Sequence, residues 1–261
     1  MLGAMGSAVQ PPTTPRDGQA RAATRGRSAS AFLYPARGRF PGRLIAVEGI
    51  DGSGKSTQVR LLLRWLQAAG LTVHLTTWNS SPMIHRSLRR AKRQRTLLPA
   101  TFSLMHAADL ADRLERDILP RLHAGEVVLA DRWVGTAFAR DAARGCAPEW
   151  LRRVYAFAPR PHLTAYFRIP VDAAMTRILA GRREIRFYEA GLDLGLAAEP
   201  TASFGLFQQR VAQRYAGLVR TERMRVIDAR LPVADQQVLL RGLVGSVLGD
   251  RFRGLVVPGN G

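Results

Sequence analysis

The stretch RLIAVEGIDGSGKS, from Arg43 to Ser56, decides the fold of this chain. The part before Gly49 is an apolar run with β-branched Ile45 and Val47, which is typical of a buried strand. The part from Gly49 onward matches G-x-x-x-x-G-K-[ST] at every fixed position. Apolar residues then recur at helical spacing, at Val59, Leu62, Leu63 and Leu66. Strand, glycine-rich loop and helix are the setting in which this motif holds the phosphates of a nucleoside triphosphate.

The residue types of the loop explain how it would hold phosphate. Gly49, Gly52 and Gly54 let the backbone bend so that successive N–H groups point at phosphate oxygens. The N-terminus of the following helix adds a partial positive charge. Lys55 would reach the terminal phosphates, and the Ser56 hydroxyl would ligate Mg²⁺. The motif therefore predicts triphosphate binding by Gly49, Ile50, Asp51, Gly52, Ser53, Gly54, Lys55, Ser56 and Thr57.

Apolar, β-branched runs alternate with helical patterns along the rest of the chain. The predicted strands are 43–48, 71–77, 126–130, 162–168 and 224–228. The predicted helices are 55–69, 83–95, 99–123, 133–143, 148–157, 172–180, 199–221 and 232–248. Buried strands separated by helices favour a parallel sheet. We therefore predict an α/β domain of the P-loop NTPase fold, whose five-stranded parallel sheet is covered by helices on both faces.

The two ends of the chain differ in composition from this domain. Residues 1–42 are rich in Ala, Arg, Gly, Pro, Ser and Thr with little apolar periodicity, which predicts a disordered Arg-rich extension. The same Arg-rich, acid-poor composition also fits an organelle transit peptide, and a start codon placed too early is a further alternative. We assign residues 43–249 to one domain and 250–261 to a C-terminal tail.

The formal net charge of +19 raises the question of nucleic-acid binding. Arginine supplies 37 of the 39 basic residues and is spread along the chain, so that Lys55 and Lys92 are the only lysines. The chain has no nucleic-acid-binding motif, and its 7% of aromatic residues offers few stacking platforms. A composition in which Arg replaces Lys explains the charge, and nucleic acid is not expected as a partner.

Other features bear on the compartment. No apolar run approaches the roughly 20 residues of a membrane-spanning helix, so no membrane partner is expected. The single cysteine, Cys146, excludes an intramolecular disulfide and a thiolate metal cluster. It fits a reducing compartment, and we expect a cytoplasmic protein.

Four stretches resemble the thymidylate kinase family, in the order of that family. VEGIDGSGKSTQ (Val47 to Gln58) resembles its P-loop, with the Glu before the first glycine and the Asp inside the loop. FSLMHAADLADRLERDILPRLHAGEVVLADRW (Phe102 to Trp133) resembles its long helix and the strand that leads to Asp-Arg-Tyr. FQQRVAQRYAGL (Phe207 to Leu218) and VIDARLP (Val226 to Pro232) resemble the helix after the lid and the adenine-side loop. The similarity spans about residues 43–245.

The resemblance implies transfer of phosphate from ATP to a nucleoside monophosphate, dTMP in this family, with Mg²⁺ as cofactor and a homodimer as the assembly. Asp131 would help to organise Mg²⁺ together with Ser56. Arg132 would grip the phosphate of the acceptor. Asp51 would point at the acceptor sugar, and Glu48 would support the same region.

A lid of about residues 181–198 is the second catalytic element that the resemblance implies. GRREIRFYEAG (Gly181 to Gly191) holds three arginines, and an arginine above the transferred phosphate is worth several orders of magnitude in rate. Thymidylate kinases place this arginine in the P-loop or in the lid, and here the P-loop position is Gly52. We rank Arg183 and Arg186 above Arg182. The predicted catalytic residues are Lys55, Asp131, Arg132, Arg183 and Arg186.

The acceptor side departs from the family in its second strand and long helix. TTWNSSP (Thr76 to Pro82) stands where the family has Arg-Glu-Pro-Gly. His106 stands where the family stacks a Phe on thymine, with a core histidine as the alternative. Leu110 replaces an Arg, for which Arg113 would substitute from the next turn.

The helix after Arg132 departs as well. Asp141 aligns with the Gln that reads the base, and Arg140 aligns with the Tyr before it. Trp133 stands for Tyr, whereas Thr136 keeps the small hydroxyl of the family. The predicted acceptor-binding residues are Glu48, Asp51, His106, Arg113, Arg132, Thr136 and Asp141.

Three hypotheses follow. The leading one is a dTMP kinase. The first alternative is the same chemistry on another nucleotide or small phosphorylated acceptor, because the Asp141 carboxylate would accept hydrogen bonds from an amino-bearing base. The second is an ATP-binding switch that holds nucleic acid on its basic surface, a hypothesis that the lid arginines disfavour.

Overall fold

The computed structural model describes residues 40–181 and 184–249. The strands are β1 (Arg43–Glu48), β2 (Val73–Thr77), β3 (Val127–Asp131), β4 (Leu163–Arg168) and β5 (Arg225–Asp228). The helices are α1 (Lys55–Ala68), α2 (His85–Gln94), α3 (Pro99–Arg113), α4 (Leu119–His123), α5 (Val134–Ala143), α6 (Pro148–Val154), α7 (Val171–Gly181), α8 (Phe187–Ala190), α9 (Pro200–Thr221) and α10 (Val233–Leu248). A π-helical turn, Leu114–Ile118, joins α3 to α4, and a 3₁₀ turn, Leu192–Leu194, follows α8.

The predicted strands and helices are confirmed, with ends that differ by a few residues. Helix α8 and the 3₁₀ turn, both in the lid segment, were not predicted. The helix predicted over 99–123 is a continuous helical segment, but its pattern changes to a π turn just before Pro120. Pro120 has no N–H to donate to the Arg116 carbonyl. One residue earlier, the Leu119 N–H donates to the carbonyl of Leu114, five residues back, which is the hydrogen-bond pattern of a π-helix.

The sheet is fully parallel, with the strand order β2-β3-β1-β4-β5. Strand β1 is central, and Val47 pairs with Asp131 of β3 while Glu48 pairs with Tyr166 of β4. Strands β2 and β3 therefore lie on one side of β1, and strands β4 and β5 lie on the other. In sheets of this kind the crevice beyond the carboxyl ends of the strands, at the point where the order reverses, is where ligands bind.

Burial shows that the sheet is covered on both faces. Successive strand residues point to opposite faces, and every residue of β1 from Leu44 to Glu48 is buried. Two smaller apolar clusters hold the lid: one joins Tyr188 of α8 to Leu88 and Phe102 of α2 and α3. The other joins Ala190 to α7 and α9. The lid helix is thus packed between the acceptor-side helices and the main domain.

The packed part of the chain starts earlier than the predicted boundary at residue 43. Phe40 is 7% exposed and its ring meets His123 edge-on at 5.0 Å. The Gly42 N–H donates to the Leu122 carbonyl at 2.9 Å. Phe40 to Gly42 therefore belong to the domain rather than to the extension. The rest of the predicted extension and the C-terminal tail, residues 1–39 and 250–261, lie outside the described residues.

Within residues 40–181 and 184–249, no helix is both long enough and apolar enough to cross a bilayer. Cys146 is a free, partly buried thiol. The cytoplasmic location stays a prediction.

Candidate active site

The P-loop leaves the carboxyl end of β1 and leads directly into α1. Gly52 has φ +81°, and a Cβ atom there would lie 2.3 Å from the carbonyl oxygen of Ala174 in α7. Gly54 also has a positive φ, +80°, at the N-cap of α1. The close approach of α7 leaves no room for a side chain at position 52, so an arginine cannot occupy this place in the loop.

Lys55 lies close to the charged side chains of Asp51, Asp131 and Arg132, which were also predicted as site residues. The side chain is buried, and its Nζ donates to the Ile50 carbonyl at 3.4 Å. Burial lowers the pKa of Lys55 to about 8, helped by the charge of Arg132 and opposed by those of Asp51 and Asp131. The fold therefore brings the P-loop lysine together with the Asp-Arg pair at the end of β3.

The other predicted loop residues divide by exposure. Ile50 and Ser53 are buried, whereas Ser56 and Thr57 are exposed at the first turn of α1. A ligand can therefore reach the hydroxyl groups of both exposed residues.

Asp131 and Ser56 supply the oxygen donors that Mg²⁺ prefers. Asp131 ends β3, and its Oδ1 atom is buried without a hydrogen-bond partner among the described residues. Across those residues no cluster of three or more His, Cys, Asp or Glu side chains forms a metal cage. One carboxylate and one hydroxyl fit an ion that is held mainly by substrate phosphates and water.

Arg132 has an unusual backbone for a side chain of its size. Its φ is +77°, in the left-handed region that costs a non-glycine residue about 1 kcal/mol or more. The guanidinium pairs with Asp51 and donates to the Gly49 carbonyl at 3.2 Å and to Thr136 Oγ1 at 3.3 Å. The left-handed turn thus aims Arg132 back across the P-loop.

Glu48 holds this turn in place. Its carboxylate is fully buried and accepts hydrogen bonds from the backbone N–H groups of Trp133 at 2.9 Å and Thr136 at 3.0 Å. It also accepts from the hydroxyl groups of Thr136 at 2.6 Å and Tyr215 at 2.8 Å. Burial raises the pKa of Glu48 above its ordinary value, although these hydrogen bonds oppose the shift. Glu48, on β1, therefore caps the N-terminus of α5. Its hydrogen bond to the Trp133 N–H also holds the backbone next to Arg132 in place.

A cleft of about 720 Å³ opens beside the P-loop and is bounded by helices α2, α3, α5 and α8. Of the predicted acceptor and lid residues, Asp51, His106, Arg132, Thr136, Asp141 and Arg186 line it. Arg113 does not line the cleft. Its guanidinium donates instead to Asp109 at 2.9 Å and to Thr76 at 2.8 Å. It therefore ties α3 to β2.

Asp51 is clamped by two arginines. Arg132 pairs with one carboxylate oxygen, and Arg140 donates to the other at 2.5 Å. Burial alone would raise the pKa of Asp51, but the charges of Arg140, Arg132 and Lys55 hold it well below its ordinary value. Asp51 is therefore ionised, and the guanidinium groups of Arg132 and Arg140 both pair with it.

The lid is anchored by a residue that the sequence analysis did not single out. Arg144 is fully buried and donates to the Tyr188 carbonyl at 2.5 Å and to Asp193 at 2.9 Å. The Tyr188 hydroxyl accepts from the Leu97 N–H at 3.2 Å. Arg186 is exposed at the edge of the cleft. Arg182 and Arg183 lie outside the described residues.

The end of the cleft at α2 and α3 is built from aromatic and charged groups. His106 is buried, with its ring edge-on to Phe102 at 4.3 Å and tilted against Trp78 at 5.6 Å. Its Nε2 atom lies 3.2 Å from the Nζ atom of Lys92. Burial lowers the pKa of His106 well below its ordinary value, with Lys92 adding to the effect. His106 is thus a neutral part of the cleft wall.

Comparisons with known proteins give a consistent result. The model of the family described as Thymidylate kinase matches residues 47–238. This chain belongs to the thymidylate kinase family. The protein named Probable thymidylate kinase 2 of Saccharolobus solfataricus is 41% identical over 208 residues, which cover 79% of this chain and 97% of that protein. The protein named Thymidylate kinase of Symbiobacterium thermophilum is 32% identical over 219 residues, which cover 80% of this chain and 96% of that protein.

Two arginines at the end of α5 were not predicted as functional residues of this thymidylate kinase family member. Arg140 lines the cleft, and Arg144, which directly follows the last residue of α5, lies four residues further along on the same side of the helix end. That spacing was visible in the sequence, but Arg140 was considered only as a mismatch to a family tyrosine. Their partners, Asp51 and Asp193, are distant in the chain.

The buried carboxyl group of Asp141 should make the stability of the protein depend on pH. Burial raises its pKa from 3.8 to about 6, so the fold favours the protonated carboxyl group. This contribution to the free energy of unfolding is present in full below about pH 4 and is lost as the pH rises through about 6. We expect Asp141→Asn to match the wild type at pH 4 and to exceed it by about 3 kcal/mol at pH 8.

Urea denaturation at pH 4, 6 and 8 measures this difference. Asn has the shape of the protonated acid and does not ionise, so it isolates the cost of the charge. Parallel pH profiles for the two proteins would contradict the prediction.

Proposed function

We propose that this protein transfers the γ-phosphoryl group of ATP to dTMP, giving ADP and dTDP, with Mg²⁺ bound at the P-loop. The thymidylate kinase family consists of ATP-dependent phosphotransferases. The observation that carries the proposal is the convergence of Lys55, Asp131 and Arg132 beside one cleft. The homodimer and the cytoplasmic location implied by the family resemblance stay predictions.

The chemistry of the step follows from the charges. A phosphate oxygen of dTMP attacks the γ-phosphorus in line, and the bond from that phosphorus to the oxygen that bridges it to the β-phosphate breaks. The attacking oxygen is already an anion at neutral pH because the second pKa of a phosphate monoester is about 6. No general base is needed, and the strongly acidic Asp51 is not suited to that role. Catalysis is therefore positioning and electrostatic stabilisation.

Arg132 and Arg140 both pair with Asp51. A phosphate dianion matches the planar fork of a guanidinium as well as a carboxylate does. The acceptor phosphate binds Arg132, and Asp51 stays beside it toward the acceptor sugar. The ion pairs with Asp51 hold both guanidinium groups in a fixed orientation.

Two further elements complete the site. Ser56 and Asp131 would hold Mg²⁺, which would neutralise charge on the phosphate oxygens. Arg183 and Arg186 are the lid arginines of the proposal. The close contact between Gly52 and Ala174 supports an arginine supplied by the lid, because the P-loop has no room for an arginine at position 52.

A phosphotransfer screen tests the proposal. ATP and Mg²⁺ are supplied with each common nucleoside and deoxynucleoside monophosphate, and diphosphate formation is measured by chromatography. We expect dTMP to give the highest kcat/KM. Product from another acceptor but not from dTMP would contradict the proposed substrate. Salt-sensitive binding of DNA or RNA without any turnover would instead favour the switch hypothesis.

A further inference from the structure

Lys92 stands apart from the other basic residues of its helix. Helix α2 carries four exposed arginines, Arg86, Arg89, Arg90 and Arg93. Lys92 is partly buried and lines the cleft. Only one other lysine exists in the chain, at the P-loop. Almost all basic residues of this chain are arginines. On α2 the exception, Lys92, is at a partly buried position.

The surroundings of Lys92 explain why a lysine is suited to the place. Its Nζ atom lies 5.0 Å from the centre of the Phe102 ring. Burial lowers the pKa of Lys92 to about 8, and the charges of Arg140 and Arg144 lower it further while those of Asp109 and Asp141 oppose them. A third guanidinium here would add a permanent charge, whereas an ammonium is compact and its pKa responds to what the cleft holds.

The contact between Lys92 and His106 defines the direction of one hydrogen bond. A charged ammonium has three N–H donors and no acceptor. The Nε2 atom of the neutral His106, 3.2 Å away, is therefore the acceptor, and the ring proton is on Nδ1. His106 takes one of the three donors of Lys92, which leaves N–H groups for a ligand.

Asp141 supplies an acceptor in the same wall of the cleft. Its carboxylate is 2% exposed and lines the cleft. Asp141 lies about two turns along α5 from the start of the helix, where Thr136 contacts Arg132. Arg132 therefore lies near the start of α5, and Asp141 lies further along this helix, where its charge acts on Lys92.

We propose that Lys92 determines which base the acceptor carries: its ammonium donates to the carbonyl oxygen at C4 of thymine, and Asp141 accepts from the adjacent N3–H. This inference rests on the proposed function. The imide edge of thymine or uracil presents an acceptor beside a donor, which complements Lys92 and Asp141. Cytosine has an amino group at C4, and in the same position its N–H would face the ammonium, donor against donor.

Steady-state kinetics of Lys92→Met with dTMP and dCMP test the inference, because Met keeps the length of the side chain and removes the donor. Loss of a hydrogen bond from a charged donor costs about tenfold or more in binding. We expect the KM for dTMP to rise by about that factor, the kcat and the KM for ATP to change little, and the preference for dTMP over dCMP to fall about tenfold. Arg90→Met removes a charge from an exposed position of α2 and should change none of these values.

Lys92→Gln separates a specific donor from a structural role and serves as the test where Lys92→Met does not fold. Gln retains an N–H donor, so its preference for dTMP over dCMP should lie between those of the wild type and Lys92→Met. Unchanged preference in both variants overturns the inference and leaves the proposed function standing. A wild-type protein that does not phosphorylate dTMP overturns both.

Discussion

Lys55→Ala should lower kcat for phosphotransfer by at least about a hundredfold, because removal of one preorganised electrostatic group from an active site costs about 10²–10³. Lys55 is buried beside Asp51, Asp131 and Arg132, and its amine donates to the Ile50 carbonyl. No other lysine lies in the P-loop. Initial rates with ATP, Mg²⁺ and dTMP, compared at saturating substrate, measure the effect.

Arg64→Ala is the matched control for this experiment. Arg64 lies on the same helix, α1, and is exposed to solvent. Its removal takes one positive charge from α1 without touching the loop, so kcat should stay within about twofold of the wild type, as is usual for surface substitutions. If Lys55→Ala keeps more than a tenth of wild-type kcat while folded, the proposed role of Lys55 is wrong.

Glu48→Ala should lower the free energy of unfolding by about 3–5 kcal/mol, because it leaves several buried donors unsatisfied and each costs about 1–3 kcal/mol. The substitution takes the acceptor away from two backbone N–H groups and two hydroxyl groups, all of them buried. It also uncaps α5 and releases the left-handed turn at Arg132. We therefore expect the KM for dTMP to rise together with the loss of stability, and urea denaturation and kinetics measure the two effects.

Glu48→Gln is the matched control. Its carbonyl oxygen accepts from the two N–H groups, and its amide nitrogen donates to the hydroxyl oxygens after these rotate. Because burial raises the pKa of Glu48, the fold favours the uncharged form that Gln imitates. We expect Glu48→Gln to lose less than half of the free energy that Glu48→Ala loses. Equal stability of the two variants would contradict the capping role.

The strands, the helices and the fold class were predicted correctly because neighbouring residues specify them. The glycine-rich loop is contiguous from Gly49 to Ser56, and the spacing of its glycines and lysine is what predicts phosphate binding. The strands and helices follow apolar periodicity over short windows. The predicted helix at 99–123 shows the limit of this method, because periodicity gave its extent but not the π turn before Pro120.

The acceptor side was harder to predict because its contacts join residues far apart in the chain. Asp51 pairs with Arg140, Glu48 caps α5, and Arg144 anchors the lid through the Tyr188 carbonyl. Arg113 was predicted to bind the acceptor, and the structure instead places its guanidinium on Asp109 and Thr76. Helical spacing limited Arg113 to one face of α3, but it did not show which element packs on that face.

The sequence by itself determined the α/β fold and the family, because both depend on local spacing or on resemblance along the chain. Only the tertiary structure decided which charges meet in the cleft. It placed Arg140 on Asp51 and Lys92 beside His106, and it closed position 52 to any side chain through α7. The physical reason is that a salt bridge or a steric contact depends on distances of a few ångströms between elements, and the packing of the whole sheet sets those distances.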